Sequence, residues 1–443
     1  MPRRLFWGAM GVLVAAVAAG AFLLLRGDDE QEPSRAPASR LANLWVAPGA
    51  GEDPDRCDEP CEFDPARAFG SLDAAYRAAS SGDIGRIKGG DYPPQETDAA
   101  KEGLTEAVTF VPAAGETVTL AGLATFGDWL TLRDVTIDTT GAHERGWYNG
   151  TEDRPGGAHN TLDGVDIVGP WANLYVRGGS DITFRNAAFG TPGNTERRVC
   201  GSGDAEPVDV ADSPRMTIDR VTFHPFHPET GNPECGPDGT LHLETIRVND
   251  GMDDFTLSNS VFEDDDGSGT ARLFVTKLSA AGTGDNADRL RVVGNYFGTA
   301  EGTNSIHLGD GQQCVGYVFA YNLWTEGFLD ACAKVDAESL RLVANLAAQP
   351  DYLPCPGTGQ GESNLWIWSA AKQGCGSDAW VVDPAPQEYG AYELDGYHLT
   401  KGSPAIDAGQ PLDACREYTG GVDIDGEPRG RICDAGPDEF VAP

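Results

Sequence analysis

A short phrase in which apolar and polar residues alternate returns along the middle of the chain. Its copies include Leu-Thr-Leu-Arg-Asp-Val-Thr-Ile at 130–137, Ile-Thr-Phe-Arg-Asn-Ala-Ala-Phe at 182–189, Met-Thr-Ile-Asp-Arg-Val-Thr-Phe at 216–223 and Phe-Thr-Leu-Ser-Asn-Ser-Val-Phe at 255–262. It continues as Leu-Arg-Val-Val-Gly-Asn-Tyr-Phe at 290–297, Tyr-Val-Phe-Ala-Tyr-Asn-Leu-Trp at 317–324 and Leu-Arg-Leu-Val-Ala-Asn-Leu-Ala at 340–347, with a weaker copy around 162–167. A period of two is the pattern of a half-buried strand, so each copy is expected to be one strand with an apolar face. A single strand cannot bury that face alone, whereas stacked copies enclose a continuous interior.

The copies end at 137, 167, 189, 223, 262, 297, 324 and 347, so they lie 22 to 39 residues apart. The shortest interval suits one coil of a solenoid, and longer coils carry surface loops. A second strand is expected ahead of each phrase, at 174–177, 208–211, 246–249, 273–276, 306–309 and 329–332, most of them followed by a Gly- or Asp-rich turn. The fold class read from this pattern is an all-β parallel β-helix with two strands per coil. Ahead of the repeats, Ser71 is a good N-cap, Leu72, Ala75, Tyr76 and Ala79 share a helix face, and Gly82 ends the helix. That helix is expected to cover the open end of the first coil, where unpaired backbone groups would otherwise lie bare.

The N-terminus carries a different pattern. After Arg3 and Arg4, residues 5–25 hold no charge and are long enough to span a bilayer, and Arg26-Gly-Asp-Asp-Glu then turns polar. Residues 1–26 read as a transmembrane signal anchor with the N-terminus cytoplasmic and the rest outside the cell, and 27–42 as a flexible linker. A cleaved signal peptide is the competing reading, kept open by Ala16-Val-Ala18. Both export the remainder of the chain.

Composition agrees with export. The ten cysteines, an even number, imply disulfides outside the cytoplasm, and their order pairs Cys57 with Cys61, Cys200 with Cys235, Cys314 with Cys332, Cys355 with Cys375 and Cys415 with Cys433. Zinc is the rival reading at Cys57 and Cys61, without a second Cys/His pair at suitable spacing. The formal net charge of −37 is spread along the chain and repels phosphate backbones, which excludes nucleic acid as a partner. It repels an acidic polysaccharide as well, unless divalent cations intervene.

The opener Trp45-Val-Ala-Pro-Gly, the helix, then Gly82-Asp-Ile and Gly89-Gly-Asp-Tyr resemble the start of bacterial right-handed parallel β-helix proteins of the pectate-lyase-like superfamily. Gly402-Ser-Pro-Ala-Ile-Asp-Ala-Gly409, Asp423-Ile-Asp-Gly-Glu-Pro-Arg429 and Asp434-Ala-Gly436 resemble the ending of many secreted members. The resemblance implies a right-handed β-helix over 43–400 with an end segment at 401–443, export, and association with carbohydrate. It does not fix an activity, because one fold hosts many chemistries. Members with pectate lyase activity use an Arg or Lys base beside Ca²⁺ held by acidic side chains, and polygalacturonases carry a different acidic set. Neither set is complete here.

Candidate chemistry then rests on one outward row. With Val176, Val210, Val248, Val275, Leu308 and Ala331 taken as equivalent inward positions, Tyr175, Asp209, Arg247, Phe274, His307 and Asp330 should form a ladder on the outer face. Asp209, Arg247 and His307 are candidate catalytic groups, and Tyr175 and Phe274 are candidate platforms for sugar rings. A solvated face with cross-coil charge pairing is the plainer alternative. Lys277 is a candidate base, although surrounding carboxylates raise its pKa and oppose that role. His224 and His227, in a loop beside the sheet, are candidate substrate contacts, with metal binding alongside Glu229 the weaker alternative, and Asp264, Asp265 and Asp266 are candidate ligands for Ca²⁺. The functional expectation is a membrane-tethered extracellular protein that binds or acts on a polysaccharide or cell-envelope glycan as a lyase or hydrolase. A non-enzymatic envelope or adhesion module is the alternative. Oligomeric state is not readable from the sequence.

Overall fold

In the computed structural model the described residues are 41–51, 54–97, 101, 103–140, 146–151, 153–169, 174–191, 197–198, 207–228, 244–249, 251–264, 271–276, 287–298, 304–308, 315–324, 328–330, 340–347, 361–362, 365–366, 397–399, 401–403 and 405–441. The apolar stretch 5–25, nearly all of the linker, and Cys200, Cys235, Cys314, Cys332, Cys355 and Cys375 lie outside them. Among the described residues no helix is long and apolar enough to cross a membrane. The chain divides at residue 39, and the unit from Arg40 onward carries the repeats.

The repeats coil into a parallel β-helix with three walls. Walls A and B form one 22-stranded assembly, and wall C is a nine-stranded sheet. Each repeated phrase supplies two strands. Leu130–Arg133 lies in wall A and Thr136–Asp138 in wall B, and Thr183–Phe189 and Thr217–Phe223 each run through both walls. Wall C takes the strand ahead of each phrase, such as Leu174–Arg177 and Val208–Ala211. The expectation of two strands per coil is therefore corrected to three.

The reason lies at the fifth residue of the phrase. Asp134, Asn186, Arg220, Asn259, Tyr321 and Ala344 all have φ between 48° and 55°, and Gly164 and Gly294 occupy the same place at 68°. A left-handed residue costs roughly 1 kcal/mol or more for a side chain with a Cβ, but it turns the chain through a corner and shifts the alternation by one. Residues 1, 3, 6 and 8 of the phrase then point inward, as Leu130, Leu132, Val135 and Ile137 do.

Equivalent inward positions stack from coil to coil. Phe223 lies 4.6 Å from Phe262, and Phe262 lies 4.7 Å from Phe297, each pair with rings 14° from parallel. Such pairs contribute about 0.5–1.5 kcal/mol beyond area burial. At the sixth position the last coils replace the apolar residue by Asn295, Asn322 and Asn345, all fully buried. The amide of Asn295 donates to Asn322 Oδ1 at 3.0 Å and that of Asn322 to Asn345 Oδ1 at 3.0 Å. The backbone N–H groups of Asn295 and Asn322 donate to the same oxygens, and each amide also donates to the backbone of the preceding coil. The corner has no strand ladder, so these side chains satisfy backbone groups that water cannot reach.

A second corner, between walls C and A, is also left-handed, at Trp129, His159, Asp181, Arg215, Asp254 and Arg289. Trp129 stacks on His159 at 4.0 Å. Asp181 accepts two bonds from the Arg215 guanidinium at 2.6 and 2.7 Å, and Arg289 makes the same paired contact with Asp254. Arg215 holds the Asp181 carboxyl down at about 2, against the smaller opposing effect of burial.

The helix Leu72–Ala78 is capped by Ser71, whose hydroxyl accepts from the Ala74 N–H. It ends at Ala78 rather than at Gly82, where the chain makes a further turn. The helix packs on Gln95–Thr97, the first strand of wall C, and so covers that edge as expected. The described C-terminal segment lies against the outside of wall B. Leu399, Ala405, Ile424 and Ala435 pack on Tyr296, Leu323 and Leu346, which are outward residues of wall B. Gly436 donates its N–H to Ala344 O at 2.8 Å, and a Cβ there would sit 2.6 Å from the Leu346 side chain. The segment is held by the Cys415–Cys433 disulfide, and Cys57–Cys61 is likewise bonded, which disposes of the zinc reading there.

Asn322→Ala strips the acceptor from two buried N–H donors, so the unfolding free energy should fall by about 2–4 kcal/mol, measured as a shift in denaturant midpoint. Asp181 should titrate near 2 by carboxyl NMR in the intact chain and near the ordinary ~3.9 in Arg215→Ala. Because this pKa is depressed in the folded state, the pair's stabilisation is present above pH ~4 and lost as pH falls toward 2.

Candidate functional site

The outer face of wall C gathers the candidate row. Parallel pairing places Tyr148 opposite Tyr175, Tyr175 opposite Asp209, Asp209 opposite Arg247, Arg247 opposite Phe274 and Phe274 opposite His307. All six are half-exposed, while Val176, Val210, Val248, Val275 and Leu308 beside them are buried. Alternation along each strand thus sets the inward and outward faces as the sequence predicts. The last rung is corrected, because His307 pairs with Leu329 and Asp330 falls opposite Leu308. Phe328 takes the place opposite Ile306, and this moves the strand by one residue from the alignment on Ala331.

The row is not chemically uniform. At one end Tyr148 and Tyr175 meet edge to face at 5.7 Å, and the Arg177 guanidinium lies 4.2 Å over the Tyr175 ring. At the other end the Phe274 and His307 rings are 4.6 Å apart. Between them stand Asp209 and Arg247. Asp209 accepts from Arg177 Nη2 at 2.6 Å through Oδ2 and from the Asn249 amide at 2.5 Å through Oδ1. Both carboxylate oxygens are thereby engaged, and the carboxylate holds Arg177 beside the Tyr175 ring. With coils about 4.8 Å apart, two aromatic platforms flank a charged centre along one straight line.

The remaining candidates separate from this row. His224 follows the wall B strand ending at Phe223, is buried, and has Nδ1 2.9 Å from Glu263 Oε2 in the next coil. Asp264 Oδ1 accepts the Tyr296 hydroxyl at 3.1 Å, and burial, with Asp264 second, pushes the Tyr296 phenol up. Arg272, buried in wall C, donates to the Glu263 carbonyl at 2.9 Å. His227 lies in the short strand His227–Pro228 that pairs with Arg197–Arg198. Lys277, Asp265 and Asp266 lie outside the described residues.

Sequence reasoning missed Tyr148, Arg177 and Asn249. Arg177 was signalled by the alternation Leu174-Tyr-Val-Arg, which puts it on the same face as Tyr175. Tyr148 sits in Trp147–Asn149, the wall C strand ahead of the weaker copy at 162–167, for which no preceding strand is expected from the sequence.

No family model matches the chain, and no curated protein matches it. Solved structures do. The crystal structure of pectate lyase Pel9A aligns with a TM-score of 0.53 at 14% identity, over 90% of this chain and 96% of that one. An alginate lyase from Paenibacillus sp. aligns with a TM-score of 0.39 at 16% identity, over 66% and 94% of the two chains. The A-module of a mannuronan C-5 epimerase from Azotobacter vinelandii gives 0.37 at 14%, over 72% and 83%. The described coils and the likeness to the pectate lyase agree on the fold, a parallel β-helix.

Proposed function

We propose that this protein binds an extended glycan along the outer face of wall C, as a carbohydrate-active β-helix protein held at the cell surface. The observation that carries the reading is the register that sets Tyr148, Tyr175, Asp209, Arg247, Phe274 and His307 in one outward row. Aromatic rings at both ends offer flat apolar surfaces to pyranose rings, and Arg247 offers a cation to a carboxylate or hydroxyl at the centre. The solved structure that shares the architecture is named a pectate lyase, which makes pectate, an acidic polysaccharide, the first ligand to test. Against a chain of charge −37, such a ligand needs Ca²⁺ or a similar ion to bridge it, and the acidic run beginning at Asp264 is the candidate place for that ion. Residues 5–25 supply the tether, and the flanking charges place the β-helix outside the cell.

One observation favours binding without turnover. Asp209, the acid of the row, is held on both oxygens by Arg177 and Asn249. The second reading is accordingly a glycan-binding envelope module in which wall C grips and does not cut.

Purified protein titrated with a panel of acidic and neutral polysaccharides, with and without Ca²⁺, tests the reading. Tyr175→Ala and Phe274→Ala should each weaken the binding about tenfold, or ~1.4 kcal/mol. Unchanged affinity in both variants would remove wall C from the account. Ultraviolet absorbance of an unsaturated product and release of reducing ends separate a lyase, a hydrolase and a pure binder. Asp209→Ala should lower stability by about 1.5–3 kcal/mol through loss of the charge-assisted bond to Arg177, seen as a lowered denaturant midpoint.

A further inference from the structure

The C-terminal segment brings three polar side chains together from separate stretches, away from wall C. One ligand atom from each of His398, Asp425 and Asp438 lies within 4.8 Å of the others. His398 Nδ1 is 3.5 Å from Asp425 Oδ2 and 3.3 Å from Asp438 Oδ1. The Asp438 contact is a long hydrogen bond, and both separations exceed the roughly 2.7–2.9 Å of a short charge-assisted N–H···O bond. These two separations also fit the edge of a tetrahedron around an ion with ligand bonds of about 2.0–2.1 Å, an edge of roughly 3.3 Å, and the third pair lies within 4.8 Å.

The other oxygen of each carboxylate is anchored. Asp425 Oδ1 accepts the Tyr397 hydroxyl at 3.2 Å, and Asp438 Oδ2 accepts the Leu399 backbone N–H. The residues on either side of His398 therefore orient both carboxylates, and the remaining oxygens turn toward its ring nitrogen. Outer-shell bonds of this kind hold ligand carboxylates in place at metal centres. Asp438 is nearly buried at 8% exposure, whereas His398 and Asp425 are open at 35% and 36%, so the cluster has a closed floor and a mouth to solvent.

We propose that His398, Asp425 and Asp438 form a site for one divalent transition-metal ion of the Zn²⁺ class, with three protein ligands and a fourth position facing water. One imidazole nitrogen and two carboxylate oxygens suit such an ion. Ca²⁺, which takes six to eight oxygen ligands, suits the set less well. Ligation through Nδ1 leaves the imidazole proton on Nε2. The site ties residues 397–399 to the turn at 423–426 and to the closing strip at 437–440. Tyr397 packs on Tyr296 at 5.5 Å and Leu399 joins the Tyr296, Leu323 and Leu346 cluster, so the ion clamps the segment to the outside of wall B.

The test uses the full chain, stripped with a chelator and titrated calorimetrically with Zn²⁺, Mn²⁺ and Ca²⁺ in separate runs. The expected result is one Zn²⁺ equivalent, bound more than tenfold tighter than Ca²⁺, that disappears in His398→Ala and in Asp438→Asn. Zn²⁺ should also raise the melting temperature of the parent chain and leave that of His398→Ala unchanged. Co²⁺ substitution gives a readout independent of stability, as visible absorption bands of a four-coordinate ion in the parent and none in His398→Ala. Equal Zn²⁺ stoichiometry in parent and His398→Ala, or no Zn²⁺ equivalent in the parent, overturns the proposal and leaves the three residues as an ordinary histidine–carboxylate contact.

Discussion

Eight successive coils of this protein turn between walls A and B on a single left-handed residue, and the register of those coils follows from that turn. Because one residue is spent at the corner without joining either strand, the alternation restarts one step later, and the sixth and eighth residues of the phrase reach the interior. Repetition of the corner at Asp134, Gly164, Asn186, Arg220, Asn259, Gly294, Tyr321 and Ala344 keeps successive coils in phase. The phenylalanine stack and the asparagine ladder both depend on that phase, since each needs like residues in neighbouring coils to coincide.

The three walls meet different surroundings. The corner between C and A carries alternating acid and guanidinium groups, a polar exterior that suits water. Early coils of wall B carry small or polar outward residues such as Thr136 and Asp166, and later ones carry Tyr296, Leu323 and Leu346, which need a cover and receive one from the C-terminal segment. Wall C keeps aromatic and charged residues half-exposed along a straight line, and nothing among the described residues is wrapped over it in the way that the end segment wraps wall B. The division leaves C as the wall that presents both apolar and charged side chains at its outer face.

Much of this was legible. The phrase itself marks the coils, and the inward valines of wall C fix the outward row correctly from Tyr175 to His307. What misled was the corner. Eight alternating letters look like one strand, and only the doubled polar residues Arg133-Asp134, Arg185-Asn186, Asp219-Arg220 and Ser258-Asn259 betray the break. Asn295, Asn322 and Asn345 stood in plain view at a shared position, but a buried polar ladder reads as surface until the corner is known. The pairing of Asp209 with Arg177 and Asn249 needed coordinates, because it joins residues 32 and 40 positions apart. The His398, Asp425 and Asp438 group joins residues that no short motif connects.

The asparagine ladder has a consequence for how such a chain grows or shrinks. Asn295 and Asn322 each donate forward to the next amide oxygen, and all three amides donate backward to the backbone of the preceding coil, so the middle member is chemically interchangeable with its neighbours. A duplication that copied one whole turn would splice a fourth amide into the file with all donors and acceptors still matched. An insertion of any other length would open the file. The protein can therefore change length here only in indivisible steps, like a stack of coins.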